Sequence, residues 1–583
     1  MCGIWGYITT AQPNFGELFK AFMQVQKRGP DKSEFKIIND IVNMCLGFHR
    51  LAIMDSSSYG DQPFTFEIRD ETEGNKNHRS IYAVCNGEIY NFSELVKKND
   101  FVLKSKSDCE FLPQMYAKYG FTNMLKQLRG EFAICVIDID HVYNNIQIYL
   151  GRDQTAVRPI FVGFDENVIA FSSILKGLIG IVNPATIHQL KRGDIMQICI
   201  QKTDASIEMT TDTWCYHTLC DNNLLQNKKT ENTPNPYGTY VSVDIISMIH
   251  NTLIEAVECR LESDRPLGAL LSGGLDSSLV VSIASAFLHK KGKKLRTFSI
   301  GIPGSTDKEY AELVAKYCDT EHTHIEFSEE DFIGAIEQVI IATETYDITT
   351  VRASIGQYLV SKWIKDNTDI KVLLIGDGSD ELCSGYMYFH NAPSAEVSDK
   401  ENHRLLEEIQ YYDVLRADRC IAYNGIEARV PFLDHMFVDL FLSISPEYRV
   451  PHKRNGEGRK VEKWLLRTAF DRVHIVNDKY VPFLPEEVLW RKKEAFSDGV
   501  SSRKKSLFQI IQESVEHTLN ENDFLDPNVT YHIKPVSKEA LYYRQLFNKH
   551  FDPMAATVIP HIWLPLWSGD VKDPSARVLA VYE

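Results

Sequence analysis

The 583-residue chain lacks the marks of several broad classes. No run approaches the roughly 18 consecutive apolar residues of a spanning helix, so no membrane association is expected. The start, MCGIWGYITT, has neither the basic n-region nor the long apolar h-region of a secretory signal, and a cytoplasmic protein is expected. No CxxC pair occurs. The 12 cysteines are scattered, and they read as free thiols in a reducing compartment rather than as a disulfide framework. Cys215, His217 and Cys220 lie close together without a second half at ligand spacing, and read as residues at a domain edge rather than a metal site. Positive charge is also short. Lys and Arg number 63 against 79 Asp and Glu, a net charge of −16, and no basic patch is large enough to hold nucleic acid or an anionic bilayer against that field. No 20 to 50 residue repeat is present. What remains is an ordinary globular composition, 44% hydrophobic and 24% charged, in a chain long enough for several domains or two large ones.

Short β-like runs at 4–8, 81–85, 132–137, 146–150, 160–162 and 168–171 are broken by helical stretches at 15–26 and 108–119. The first part therefore reads as α+β with a largely antiparallel sheet. The segment 221–240, DNNLLQNKKTENTPNPYGTY, is poor in large apolar residues and reads as a linker between domains at 1–220 and 241–583. Beyond it, apolar runs at 267–271, 296–300, 325–327 and 372–375 alternate with helical stretches at 277–291, 309–317 and 331–342, the pattern of an α/β parallel sheet. The rest reads as mainly helical.

Ser272-Gly273-Gly274-Leu275-Asp276-Ser277-Ser278 lies between an apolar strand and a helix. Small residues there let backbone N–H groups approach phosphate oxygens, the hydroxyls add donors, and the helix start adds partial positive charge. Ordinary capping would also place Ser or Asp at such a start. GxxxxGK[ST] is absent, which excludes the Walker loop. SGGLDSS is similar to the pyrophosphate loop of ATP pyrophosphatases, and the resemblance implies release of AMP and pyrophosphate rather than ADP. It also implies that Asp276 holds Mg²⁺ on the phosphates. Asp380, in Gly376-Asp377-Gly378-Ser379-Asp380-Glu381 at the C-terminal end of a strand, is the candidate second carboxylate.

Cys2 follows Met1, and excision of the initiator leaves a cysteine whose own amine, titrating near pH ~8, can serve as base for its thiol. Taken alone, a second-position cysteine reads as a buried or inert thiol. Here MCGIWG, Arg28-Gly29-Pro30-Asp31, His49-Arg50-Leu51-Ala52-Ile53, Asn86-Gly87-Glu88-Ile89-Tyr90-Asn91, Ser107-Asp108-Cys109-Glu110 and Gly151-Arg152-Asp153 follow in the order used by N-terminal-nucleophile glutamine amidotransferases. A forked Arg50 guanidinium suits an α-carboxylate, Asp108 and Glu88 suit an α-amine, and the Asn86 amide with the Gly87 N–H suits an oxyanion.

The two halves together resemble the glutamine-hydrolysing asparagine synthetases over nearly the whole chain, with further similar segments at 346–354, 427–434, 462–467 and 496–500. The resemblance implies an N-terminal-nucleophile αββα sandwich followed by an α/β ATP pyrophosphatase domain with a helical C-terminal part. It implies aspartate, ATP and glutamine as substrates, β-aspartyl-AMP as intermediate, Mg²⁺ as cofactor and a possible homodimer. Position by position, it implies glutamine binding by Arg50, Leu51, Ala52, Ile53, Met54, Asn86, Gly87, Glu88 and Asp108, with Cys2, Asn86 and Gly87 catalytic. ATP binding falls to Leu271, Ser272, Gly273, Gly274, Asp276, Ser277, Ser278, Ile300, Ile375 and Gly376. Lys463 and Asp377 are catalytic, Asp276 and Asp380 hold metal, and Thr349, Thr350, Arg352, Arg416 and Arg429 surround the aspartate and the intermediate. The chain departs from the family pattern at Asp377, where Glu is usual, at Lys106, where Gly is usual, and at Gln26-Lys27, where Arg-His is usual. Rival readings are a related amide-forming ligase acting on another carboxylate, and a protein of this fold with impaired synthesis.

Overall fold

The computed structural model describes residues 1–72, 75–202, 206–219, 243–454, 459–476, 479–494, 499–501, 505–519, 531–569 and 573. The expected linker at 221–240, Cys220, and residues 496–498 lie outside the described residues.

The first part holds β1 (Gly3–Thr9), β2 (Lys32–Asn39), β3 (Asn43–Arg50), β4 (Phe64–Thr72), β5 (Asn75–Ile89), β6 (Gly130–Asp140), β7 (Asn145–Arg152), β8 (Phe161–Asp165), β9 (Val168–Ser172), β10 (His188–Gln189), β11 (Asp194–Lys202) and β12 (Ile207–Cys215). They form two six-stranded antiparallel sheets, ordered β10-β8-β9-β1-β3-β2 and β12-β11-β7-β6-β5-β4. The alternation within β6 explains the layering. Ala133, Cys135, Ile137 and Ile139 face a core shared with Ile4, Ile8, Leu46 and Phe48 of the other sheet. Phe132, Ile134 and Val136 point the opposite way, under α2 (Phe92–Asn99) and α3 (Leu112–Tyr119). On the far side, Trp5 packs with Leu18 and Phe22 of α1 (Phe15–Met23), whose start is capped by the Asn14 side chain. Strands covered on both faces read as unbroken apolar runs, and the result is the expected αββα sandwich.

The second part is built on a five-stranded parallel sheet ordered β15-β14-β13-β16-β17 from β13 (Leu267–Leu270), β14 (Arg296–Gly301), β15 (Glu321–Glu326), β16 (Val372–Leu374) and β17 (Glu427–Arg429). α4 (Leu275–Lys290) leaves β13, α5 (Asp307–Tyr317) leaves β14, and α6 (Ile348–Asn367) precedes β16. The single helix expected at 331–342 is two, Glu329–Gly334 and Ile336–Thr343, and the strand expected at 325–327 lies at Glu321–Glu326. The helix expected from 108 starts at Leu112. No described helix is long and apolar enough to cross a membrane.

Candidate active sites

The first site gathers where β1, β3 and β5 begin or end. Cys2 directly precedes β1, its Sγ 3.7 Å from the Leu51 carbonyl and its own carbonyl accepting from Arg28 Nε at 3.0 Å. Met1 is 1% exposed, and its α-ammonium sits 3.2 Å from the buried Glu427 carboxylate of β17. With Met1 in place, burial pushes the Cys2 thiol up to about 11. Asn86 is fully buried and neither its amide nitrogen nor its oxygen has a partner. Gly87 adopts φ +151, and a Cβ there would lie 1.9 Å from the Glu131 carbonyl. Only glycine brings this N–H so close to the neighbouring strand. Asp108 accepts from the Ile89 N–H at 2.7 Å, yet burial pushes its carboxyl up to about 6. Glu88 is raised as well, by burial and by the Asp108 and Glu427 charges.

The structure occupies the Arg50 guanidinium within its own chain: it donates to Asp61 at 2.6 Å, to the Ser57 carbonyl at 2.7 Å and to the Asp55 carbonyl. Leu51, Ala52 and Ile53 are buried beneath it, and the Met54 carbonyl accepts from Arg50 at 3.4 Å. The Lys106 backbone N–H holds Asp55 at 2.8 Å, and Lys27 lies over the Tyr423 ring across the interface.

The second site is a cleft of about 1090 Å³, open mouth included, at the C-terminal ends of β13, β14 and β16. It is lined by Leu271, Ser272, Gly274, Asp276, Ser277, Ile300, Ile375 and Gly376 among the expected nucleotide residues, and by Asp377, Asp380, Arg416 and Lys463. Gly273, at φ +75, turns the loop under Tyr310, where a Cβ would approach to 2.5 Å. Ser278 is buried within α4 behind the loop. α4 has no side-chain cap, leaving its first N–H groups toward the cleft. Lys463 Nζ lies 2.6 Å from both Asp276 and Asp380, and Ser379 donates to Asp276 at 2.8 Å. The flanking ammonium groups hold the Asp380 carboxyl far below its usual range despite burial. Arg416 reaches Asp377 at 2.9 Å, and Gln357 donates to the same carboxylate at 3.2 Å.

The five residues expected around aspartate are not brought together. Of these, only Arg416 lines the cleft. Arg352 is forked onto Glu539 and Asp573, Thr350 donates its N–H and hydroxyl to Asp347, the residue that caps α6, and the Thr349 hydroxyl is buried without a partner. Arg429 lies between the two halves, on Glu427 at 2.8 Å and 3.7 Å from Glu88. Sequence reasoning missed Lys493, whose Nζ is 2.5 Å from Asp380, and Arg491, which stacks on Tyr310 and donates to the Gly273 carbonyl at 3.1 Å. Both precede the segment 496–500 noted for its resemblance, but basic residues in a loop carry no motif of their own.

Among the described residues no cluster of three His, Cys, Asp or Glu side chains is placed to hold a metal ion, and the described cysteines are free. His217 instead pairs with Asp439 at 3.3 Å.

The family profile described as a glutamine amidotransferase domain matches residues 1–213, and the profile described as asparagine synthase matches 248–402 and 393–569. Proteins named asparagine synthetase [glutamine-hydrolyzing] from Cricetulus griseus and Homo sapiens are each 38% identical, over 597 and 599 residues, covering 100% of this chain and 99% of theirs. The chain belongs to the glutamine-hydrolysing asparagine synthetases. The one from Gallus gallus is 37% identical over 593 residues with the same coverage. Among solved structures, a glutamine phosphoribosylpyrophosphate amidotransferase from B. subtilis covers 52% of the chain and 76% of its own at 12% identity, with a TM-score of 0.27. Membership of the asparagine synthetases means ATP-dependent synthesis of asparagine from aspartate with glutamine as nitrogen donor.

Proposed function

We propose that the two sites divide the reaction. In the domain at 1–220, excision of Met1 frees the Cys2 amine, which takes the thiol proton as Sγ attacks the glutamine amide. The unpartnered Asn86 amide and the Gly87 N–H face the oxyanion of the tetrahedral intermediate, each donor worth on the order of 3 kcal/mol. Asp108 and Glu88 receive the substrate ammonium. Arg50, already neutralised by Asp61, has to exchange part of that network for the α-carboxylate.

In the domain at 241–583, beyond the linker 221–240, the aspartate β-carboxylate attacks the α-phosphorus of ATP to give β-aspartyl-AMP, which ammonia then converts to asparagine. Loop 272–278 and the open start of α4 hold the phosphates. Leu271, Ile300 and Gly376 line the cleft where backbone groups meet adenosine, and Lys463 faces the departing pyrophosphate. Asp276 and Asp380 hold one ammonium between them, a pair of hard oxygen donors that fits Mg²⁺, which supplies charge neutralisation at the phosphates when bound. Arg416 and Asp377 form the end of the cleft offered to the substrate's charged groups. The reading places the enzyme in the cytoplasm.

The observation that carries this proposal is the presence, in one chain, of a thiol at the start of β1 and of a cleft whose loop 272–278 faces Lys463. Supplying ATP, Mg²⁺, glutamine and a panel of carboxylic acids should yield AMP and asparagine from aspartate alone. ADP, or an amide of a different acid, defeats it.

A further inference from the structure

The adenylation step as described assigns one lysine to the leaving group, but the cleft holds two. Lys493 Nζ lies 2.5 Å from one Asp380 oxygen while Lys463 Nζ lies 2.6 Å from the other, and both lysines line the cleft beside loop 272–278. They arrive from separate segments that are clamped to each other. Glu462 accepts from the Lys493 backbone N–H at 2.9 Å and from Arg467 at 2.5 Å, and Arg467 returns its Nε to the Glu462 carbonyl at 2.8 Å. Lys463, the next residue, adopts φ +53, a left-handed conformation that a non-glycine residue holds only when its surroundings enforce it. Gly385 makes room for the pair. A Cβ there would lie 2.1 Å from Lys463 Cε and 2.1 Å from the Asp380 carboxylate.

Lys463 and Lys493 together face two carboxylates, Asp276 and Asp380, so the charges balance before a nucleotide enters. Both ammonium groups are thereby held in place on the lining of the cleft, where the phosphates of ATP bring further negative charge. We propose that Lys493 is a second leaving-group cation of the adenylation step, facing the β- and γ-phosphates together with Lys463. The inference rests on the AMP-forming reading above. In that step an aspartate carboxylate oxygen bonds to the α-phosphorus, the bond from that phosphorus to the bridging oxygen breaks, and its electron pair leaves on pyrophosphate. No proton moves. Negative charge grows on the bridging oxygen, and ammonium groups fixed beforehand in a water-poor cleft stabilise it without reorganising.

The test uses the full-length enzyme. Wild type must first release AMP and pyrophosphate, and ADP instead would defeat the AMP-forming reading rather than this inference. Lys493→Met is expected to slow AMP release about 100-fold and to weaken binding of inorganic pyrophosphate, read by titration calorimetry, at least about 10-fold. Lys493→Arg should recover most of both. Glutamate release from glutamine serves as the fold control, and Lys493→Gln carries the same comparison if the methionine variant does not fold. Unchanged pyrophosphate affinity in either neutral variant, or equal impairment by Arg and Met, overturns the proposal.

Discussion

At Asn86 a buried amide has no partner on either side, which ordinarily costs about 1–3 kcal/mol per lost bond. Such a group is stable only if a ligand completes it. Asn86→Ala should lower glutamine hydrolysis about 100-fold while leaving ammonia-dependent asparagine formation intact, measured as glutamate and asparagine from the same preparation. Cys2→Ala should abolish the first and spare the second. Asp108, pushed up to about 6 by burial, gives a pH dependence. On the proposed function its carboxylate pairs with the substrate ammonium above that value; below it the neutral acid cannot. The KM for glutamine should therefore rise as pH falls through 6, and Asp108→Asn should flatten that rise. The placement of residues was legible where a short motif sits at a strand end, as with Cys2 before β1, Asn86 in β5 and Asp276 at the cleft. It was illegible where a side chain arrives from a distant loop, as with Lys493 beside Asp380. The partners of Arg352 and Arg429 were not legible, because a guanidinium settles on the carboxylate that folding brings: Arg352 meets Glu539 and Asp573, and Arg429 meets Glu427.

Among elements, the turn from β13 into α4 leaves little room for change. A methyl group on Gly273 adds left-handed strain and a contact 2.5 Å from Tyr310, so Gly273→Ala should reduce AMP formation at least about 10-fold, with glutamate release from glutamine as the comparison. β6 was plain in the sequence because its stretch 132–137 is apolar at every position and buried on both faces, and β7 because apolar residues recur along it. β15 was not. Its residues Glu321-His322-Thr323-His324 are polar, and His322 and His324 bond Ser299 of β14 rather than packing into a core. The helix expected at 331–342 splits because Gly334 ends the first turn set and Ala335 starts the second. Glycine is a poor helix interior residue by about 1 kcal/mol.

Across the whole molecule the two halves are joined by buried charge. Glu131 of β6 receives Arg158 at 2.8 Å, Arg260 at 2.8 Å and the Val430 N–H at 3.0 Å, and Arg28 reaches Asp418 at 2.6 Å. Such a network is directional and fixes one relative placement of the halves. Glu131→Gln removes the charge that Arg158 and Arg260 share, leaving them Asp418 and Asp434, and should cost about 3 kcal/mol, seen as a lower Tm. Its signature in turnover should be excess glutamate over asparagine, as nitrogen escapes a loosened joint. A stoichiometry that stays at one would deny the network any part in coupling. The placement of Met1 has a consequence for biogenesis. Met1 is enclosed between the halves with its charge clasped by Glu427, out of reach of a peptidase in the folded chain. The excision proposed above therefore has to precede docking of the C-terminal half, and a purification handle fused ahead of Met1 would wedge the joint open.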